Sequence, residues 1–162
     1  MYSEKLQSNR TEALFIVFTI LFFALFVWHK DNADYSAWRI VFISLSVFFL
    51  FYAVNYRTLL IHLTHEKLLL RFGIFSWTVP LENIVDCRLD DISAPMRYGG
   101  AGIHFMLIKG RYRVSFNFLE HPRVVVALKT KQGPVRDISF STQHPEEIIR
   151  LITQVRDTNE QQ

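Results

Sequence analysis

The stretch RYRVSFNF, Arg111 to Phe118, alternates strictly: Tyr112, Val114, Phe116 and Phe118 take one parity, Arg111, Arg113, Ser115 and Asn117 the other. Successive side chains of a strand point to opposite faces, so this pattern predicts a half-buried β-strand with its aromatic parity in a core and its polar parity in water. Lys109 and Gly110 just before it read as a tight turn, and IHFMLI, Ile103 to Ile108, as the other arm of the hairpin. Downstream, RVVVALKT and VRDISFS are joined by KQGP, a second hairpin signal.

Upstream, LLIHLT (59–64), KLLLRFG (67–73), FSWTVP (75–80) and NIVDCRLDDI (83–92) are short apolar or alternating runs broken by turn residues, predicting successive antiparallel strands. The chain closes with HPEEIIRLITQVRD. Pro145 suits a first helical position behind His144, a poor N-cap, and Glu146 and Glu147 suit the positive end of the helix dipole. Ile148, Ile152 and Val155 then share one face. DTNEQQ, 157–162, reads as a flexible tail.

The N-terminal third has a different texture. ALFIVFTILFFALFVW, Ala13 to Trp28, and IVFISLSVFFLFYAV, Ile40 to Val54, carry no charge. At 1.5 Å per residue these runs give helices of roughly 23 to 24 Å, short of a hydrocarbon core about 30 Å thick. The flanks close the gap: Arg10, Lys30, Arg39 and Arg57 can snorkel, and Trp28, Trp38, Tyr52 and Tyr56 favour the interface. A cleaved leader is the competing reading of the first run, opposed by its bulky end at Phe26, Val27 and Trp28 and by the second run that follows. The linker HKDNADYSAWR returns the second helix antiparallel to the first, so both chain ends share one side. Lys5, Arg10, Arg57, Lys67 and Arg71 outnumber Lys30 and Arg39, which makes that side cytoplasmic. A lone cysteine, Cys87, agrees with a reducing compartment and reads as a small core residue. The expected organisation is a membrane hairpin over 1–56, a β domain over 57–156 and the tail.

RYGGAGIHF, Arg97 to Phe105, concentrates Gly99, Gly100 and Gly102. A phosphate-binding loop would end in Gly-Lys-Ser/Thr or open a helix, and this one runs into a strand. The expected roles are structural: positive φ at Gly99 and Gly100 in a turn, and close approach of the backbone to a neighbour at Gly102.

The order of the PLENI step, the YGG-G turn, the long hairpin and the terminal P-E-x-I helix, over about residues 58–156, resembles bacterial pleckstrin-homology-like domains, which are often tethered to membrane helices. The resemblance implies a mainly β fold with α: a two-helix transmembrane hairpin carrying a PH-like antiparallel β sandwich or barrel closed by a C-terminal helix. It implies a binding role and carries over no binding residues, because that fold hosts lipid, peptide and oligomer contacts alike.

His62, His65, His104, His121 and His144 share no metal-ligand spacing, and Asp86, Asp90 and Asp91 read as a solvated strand end rather than a cation site or an acid–base pair. No metal, cofactor, nucleic acid or catalysis is expected. Charge gives the one functional handle. From Arg57 onward there are fourteen Lys and Arg against eleven Asp and Glu. Lys109, Arg111 and Arg113, spaced by two, are expected to form an outward basic stripe that touches anionic lipid headgroups or a protein partner. The expected function is a non-enzymatic adaptor on the plasma (inner) membrane of a bacterium. The alternatives are a structural subunit of a membrane complex or homo-oligomer, and an enzyme with an unrecognised site.

Overall fold

The computed structural model describes residues 1–29, 36–92, 102–118 and 120–159. Strand β1 (Tyr2–Gln7) is followed by helices α1 (Asn9–Trp28) and α2 (Ser36–Asn55), and then by β2 (Thr58–Leu63), β3 (Lys67–Phe72) and β4 (Phe75–Pro80). A 3-10 turn at Leu81–Asn83 leads to β5 (Ile84–Leu89), β6 (Gly102–Ile108), β7 (Arg111–Asn117), β8 (Arg123–Gln132), β9 (Val135–Ser141) and helix α3 (Pro145–Asn159).

Both apolar helices are a full 20 residues, about 30 Å each, because each gains a turn that its polar flank had masked in the sequence. Ser8 caps α1: its backbone is extended and its Oγ accepts from the Thr11 N–H at 3.1 Å. The two helices pack as a hairpin around Phe49, whose ring meets Phe15, Phe18 and Phe22, and Ser46 Oγ donates to the Thr19 carbonyl oxygen across the interface at 3.0 Å. Most of both surfaces stays exposed, and both helices are long and apolar enough to cross a membrane.

The strands form two sheets, ordered β1-β2-β3-β4 and β5-β8-β9-β7-β6. The predicted runs at 59–64, 67–73 and 75–80 are the antiparallel β2, β3 and β4. Their alternation is the cause: Leu59, Ile61, Leu63, Leu68, Leu70 and Phe72 point inward and are buried. Strand β1 belongs to this sheet too, Tyr2 pairing with Leu63 and Gln7 with Thr58. Residues 2–7 thus depart from the expected division at residue 56, and the helical hairpin is inserted between two neighbouring strands. Glu4 locks β1 in place. Its carboxylate, almost fully buried, accepts from Thr142 Oγ1 at 2.6 Å, the Gln143 N–H at 2.7 Å and Tyr2 OH at 2.8 Å.

The PLENI segment is where the chain changes sheets. Asn83 holds the crossing by donating to the Thr130 carbonyl oxygen at 2.9 Å and accepting from the Thr130 N–H at 2.7 Å. In the second sheet the two expected hairpins form, β6–β7 and β8–β9. One pair is not antiparallel. Strand β8 lies one position beyond β7 and runs opposite to it, β9 fills the gap antiparallel to β8, and β9 is therefore parallel to β7. Inner residues of both sheets share one core, in which Phe72 stacks on Phe116 at 6.2 Å and meets Phe118 edge-on at 5.0 Å. Helix α3 packs on β5, β8 and the 3-10 turn through Ile148 and Ile152, and it begins at Pro145 as expected. It runs on to Asn159, so 157–159 are helical rather than tail.

Hairpin and sandwich meet at the end of α2. Arg57 Nε lies 3.2 Å from Glu12 Oε2 in the first turn of α1, and Tyr56 stacks on Phe75 at 6.2 Å. Gly73, at φ 50°, lets the β3–β4 turn press on Asn55: a Cβ there would lie 2.7 Å from both the backbone and side-chain oxygens of Asn55.

Candidate binding site

Strand β7 carries two of the three residues of the expected basic stripe, and its burial corrects that expectation. Both faces are covered. The inward parity, Val114 and Phe116, is core, while Arg113, Ser115 and Asn117 on the other face are equally buried. Arg113 is 3% exposed. Tyr112, expected in the core, is 51% exposed. The stripe therefore does not exist as an outward face: Lys109 sits in the turn at φ 49°, Arg111 is half-exposed and Arg113 is inside.

A guanidinium is buried only with partners, since an isolated charge out of water costs far more than folding can supply. Arg113 Nη1 donates to Asp90 Oδ1 at 3.1 Å, and Arg123 Nη2, from the start of β8, lies 3.1 Å from the other Asp90 oxygen. Asp137 on β9 is 2.8 Å from Arg111 Nη2 and 4.0 Å from Arg113 Nη2. Strand register produces this arrangement, because Arg113 and Asp137 are direct partners across the parallel β7–β9 pair. Asp90 comes in from the other edge, its N–H bonded to the Arg123 carbonyl oxygen at 2.9 Å. It is not the solvated strand end expected of it. Asp86 pairs with Arg88, and Asp91 stays exposed, 3.9 Å from Lys109.

Beside this cluster lies a cavity of about 460 Å³ lined by Arg88, Asp91, Lys109, Arg111, Arg113 and Asp137 together with Ile92, Leu107 and Ile108. Deeper on the same face the polar groups pair among themselves: Ser139 Oγ donates to Ser115 Oγ at 3.0 Å, and Ser141 Oγ accepts from the Phe118 N–H at 2.9 Å. His104, opposite Ser115 in register, has both ring nitrogens buried without a hydrogen-bond partner. Desolvation, with Arg123 adding, lowers its pKa and keeps the ring neutral.

The remaining sequence candidates are scattered. His62 Nε2 lies 3.3 Å from Ser3 Oγ, His65 is in the β2–β3 turn, His121 follows β7 and His144 precedes α3. Among the described residues no three His, Cys, Asp or Glu gather in a group that could hold a metal. Cys87 faces the core, where burial, with Asp86 adding, pushes its thiol up to about 12. It is thus protonated at neutral pH. Gly99 and Gly100 lie outside the described residues. Gly102 opens β6 at φ 97°, and a Cβ there would sit 3.1 Å from the Tyr56 ring, which is the close approach expected of it. Sequence reasoning missed Asp90, Arg123 and Asp137 as partners of the arginines. Comparison of the chain with family models, curated proteins and solved structures finds no match.

Proposed function

We propose that this protein is a membrane-anchored, non-enzymatic adaptor of the PH-like kind, which holds a protein partner at the cytoplasmic face of a bacterial inner membrane. The anchor is the α1–α2 hairpin, with the excess of Lys and Arg at its outer ends setting the orientation. The observation that carries the partner reading is β6. Among the described residues it is an edge strand paired with β7 alone, and Phe105 on it and Tyr112 on the neighbouring β7 are 60% and 51% exposed. An open edge with apolar side chains is a template for an added strand, the backbone supplying affinity and the side chains specificity.

Lipid headgroups are the less supported ligand. The contact of Tyr56 with Gly102 marks the hairpin end of β6, and six further residues carry Ile108 and the Lys109 turn about 20 Å from it along the strand. Full-length protein purified in mild detergent, with mass measurement, tests the reading. A partner protein should co-purify in fixed ratio with the wild type and be lost from Phe105→Glu/Tyr112→Glu. A homodimer mass abolished by the same pair would assign the edge to a second copy. An unbound monomer in both cases overturns the proposal.

A further inference from the structure

We propose that the turn between β3 and β4 is a third membrane contact of this protein: Ile74 and Phe75 enter the bilayer interface beside the end of α2, with Arg71 and Lys5 at the level of the headgroups. The inference rests on the α1–α2 hairpin crossing a membrane and is independent of the partner edge at β6. Its first support is the make-up of the turn. Gly73 supplies the left-handed φ, 50°, that the tight turn needs, and in water such a turn favours polar neighbours. Here the next residue is Ile74, 69% exposed, followed by the exposed Phe75. The other hairpin turns carry Thr64, His65 and Glu66, Lys109 and Gly110, and Gly133 and Pro134. The apolar turn is also the one beside the helices: β2 leaves α2 and runs six residues, about 20 Å, to its own turn, and β3 comes back.

The second support is depth. The Ile74 N–H donates to Asn55 Oδ1 at 3.4 Å, and the same side chain closes α2 by donating from Nδ2 to the Phe51 carbonyl oxygen at 3.0 Å. The Phe75 ring meets Phe51 edge-on at 6.3 Å. Phe51 lies four residues, about 6 Å, inside the end of α2 and within the uncharged run Ile40 to Val54. A ring packed on it sits at the depth of that run. Phe51 and Val54, three apart on the helix and both exposed, continue the same apolar surface, so a bilayer that covers them meets Ile74 and Phe75 as well. The third support is a cationic rim. Lys5 and Arg71 flank Leu60 in register and are both exposed, on the outer face of the sheet. Arg71 Nε donates to the Gly73 carbonyl oxygen at 2.9 Å, which holds the guanidinium against the turn. Apolar side chains with Lys or Arg behind them are what hold an amphipathic element in a membrane interface, and anionic lipid strengthens the attraction.

The test uses the full chain in nanodiscs of phosphatidylcholine and phosphatidylglycerol that contain nitroxide lipids, with the nitroxide at the headgroup or on the acyl chain. Ile74→Cys, Ser76→Cys, His65→Cys and Val47→Cys, all at exposed positions, are each labelled with a bimane fluorophore, and the unsubstituted chain, with Cys87 alone, is the blank. Ser76 pairs with Arg71 and reports the rim, His65 marks the far end of the sheet, and Val47 lies inside α2. Acyl-chain nitroxide should quench the label at Ile74→Cys, headgroup nitroxide the label at Ser76→Cys, and neither the label at His65→Cys. Without a fluorophore, the Ile74→Cys thiol should react with a charged methanethiosulfonate far more slowly than that of His65→Cys. Quenching at Ile74→Cys or Ser76→Cys no stronger than at His65→Cys, while Val47→Cys is quenched, overturns the proposal and leaves the membrane hairpin standing. A slow Ile74→Cys thiol without quenching would assign the turn to a protein surface and overturn the bilayer as its occupant. Absence of acyl-chain quenching at Val47→Cys would remove the hairpin reading and this contact with it.

Discussion

Replacing Gly73 with alanine measures how rigidly the helical hairpin is fixed to the sandwich. Gly73 and Gly133 both have positive φ, 50° and 60°, so an alanine at either meets the same left-handed strain of about 1–2 kcal/mol. At Gly133 nothing lies within 4 Å of the new Cβ. At Gly73 it would sit 2.7 Å from the Asn55 carbonyl oxygen and 2.7 Å from its Oδ1. Rotating the Asn55 side chain relieves the second contact only; the first is backbone, and relief requires α2 and the β3–β4 turn to separate. Forced shifts of this kind cost typically 1–3 kcal/mol. Gly73→Ala should therefore destabilise by about 2–5 kcal/mol and exceed Gly133→Ala by about 1–3 kcal/mol. Pulse proteolysis of the full chain in urea, in one detergent, gives both values. Equal losses within about 0.5 kcal/mol, the usual error of such differences, would show that hairpin and sandwich are not in tight contact and refute the argument.

Arg113→Gln leaves Asp90 and Asp137 short of a buried partner and should cost about 3–5 kcal/mol, measured in the same way; a loss under about 1 kcal/mol would mean that Arg113 is solvated. Cys87 should resist iodoacetamide at pH 8 in the folded chain and react once urea unfolds it; rapid labelling of the folded protein would contradict its half-buried, protonated state. Stability should fall on acidification below about pH 6.5, because the unfolded chain then takes up a proton at His104 that the folded chain, with its lowered pKa, refuses. The loss continues until pH reaches the folded value. His104→Leu should flatten that slope between pH 7.5 and 5.5, and an unchanged slope would place the titration elsewhere.

The strands and helices legible in the sequence were those whose burial follows from side-chain polarity alone: β2 and β3 with their leucines, the two glycine-marked hairpins, α3 with its isoleucines, and the two apolar helices. Strand β1 was illegible for a physical reason. Of YSEKLQ only Leu6 is an apolar core residue, and Glu4 is buried because of acceptor contacts with Thr142 and Gln143, far away in sequence. The same blindness affected the site. Period-two alternation identified β7 but assumed that arginines face water, whereas Arg113 is held inside by Asp90 and Asp137, 23 and 24 positions away. Long-range charge pairing leaves no local periodicity. One signal was available: the four aspartates in the predicted strand segments, Asp86, Asp90, Asp91 and Asp137, could have been matched against the arginines as internal counter-ions.

The insertion of the helical hairpin between β1 and β2 makes the order of synthesis matter. The ribosome delivers β1 first, yet its partner emerges only after both apolar helices, and Gln7 and Thr58 become neighbours in register only when those helices have folded back on each other. If the helices enter a bilayer, insertion is what delivers Thr58 to Gln7. The first sheet is then complete only in correctly inserted chains. A misinserted copy would carry β2 with an open edge and Glu4 parted from Thr142, the kind of unpaired strand that proteases and chaperones recognise.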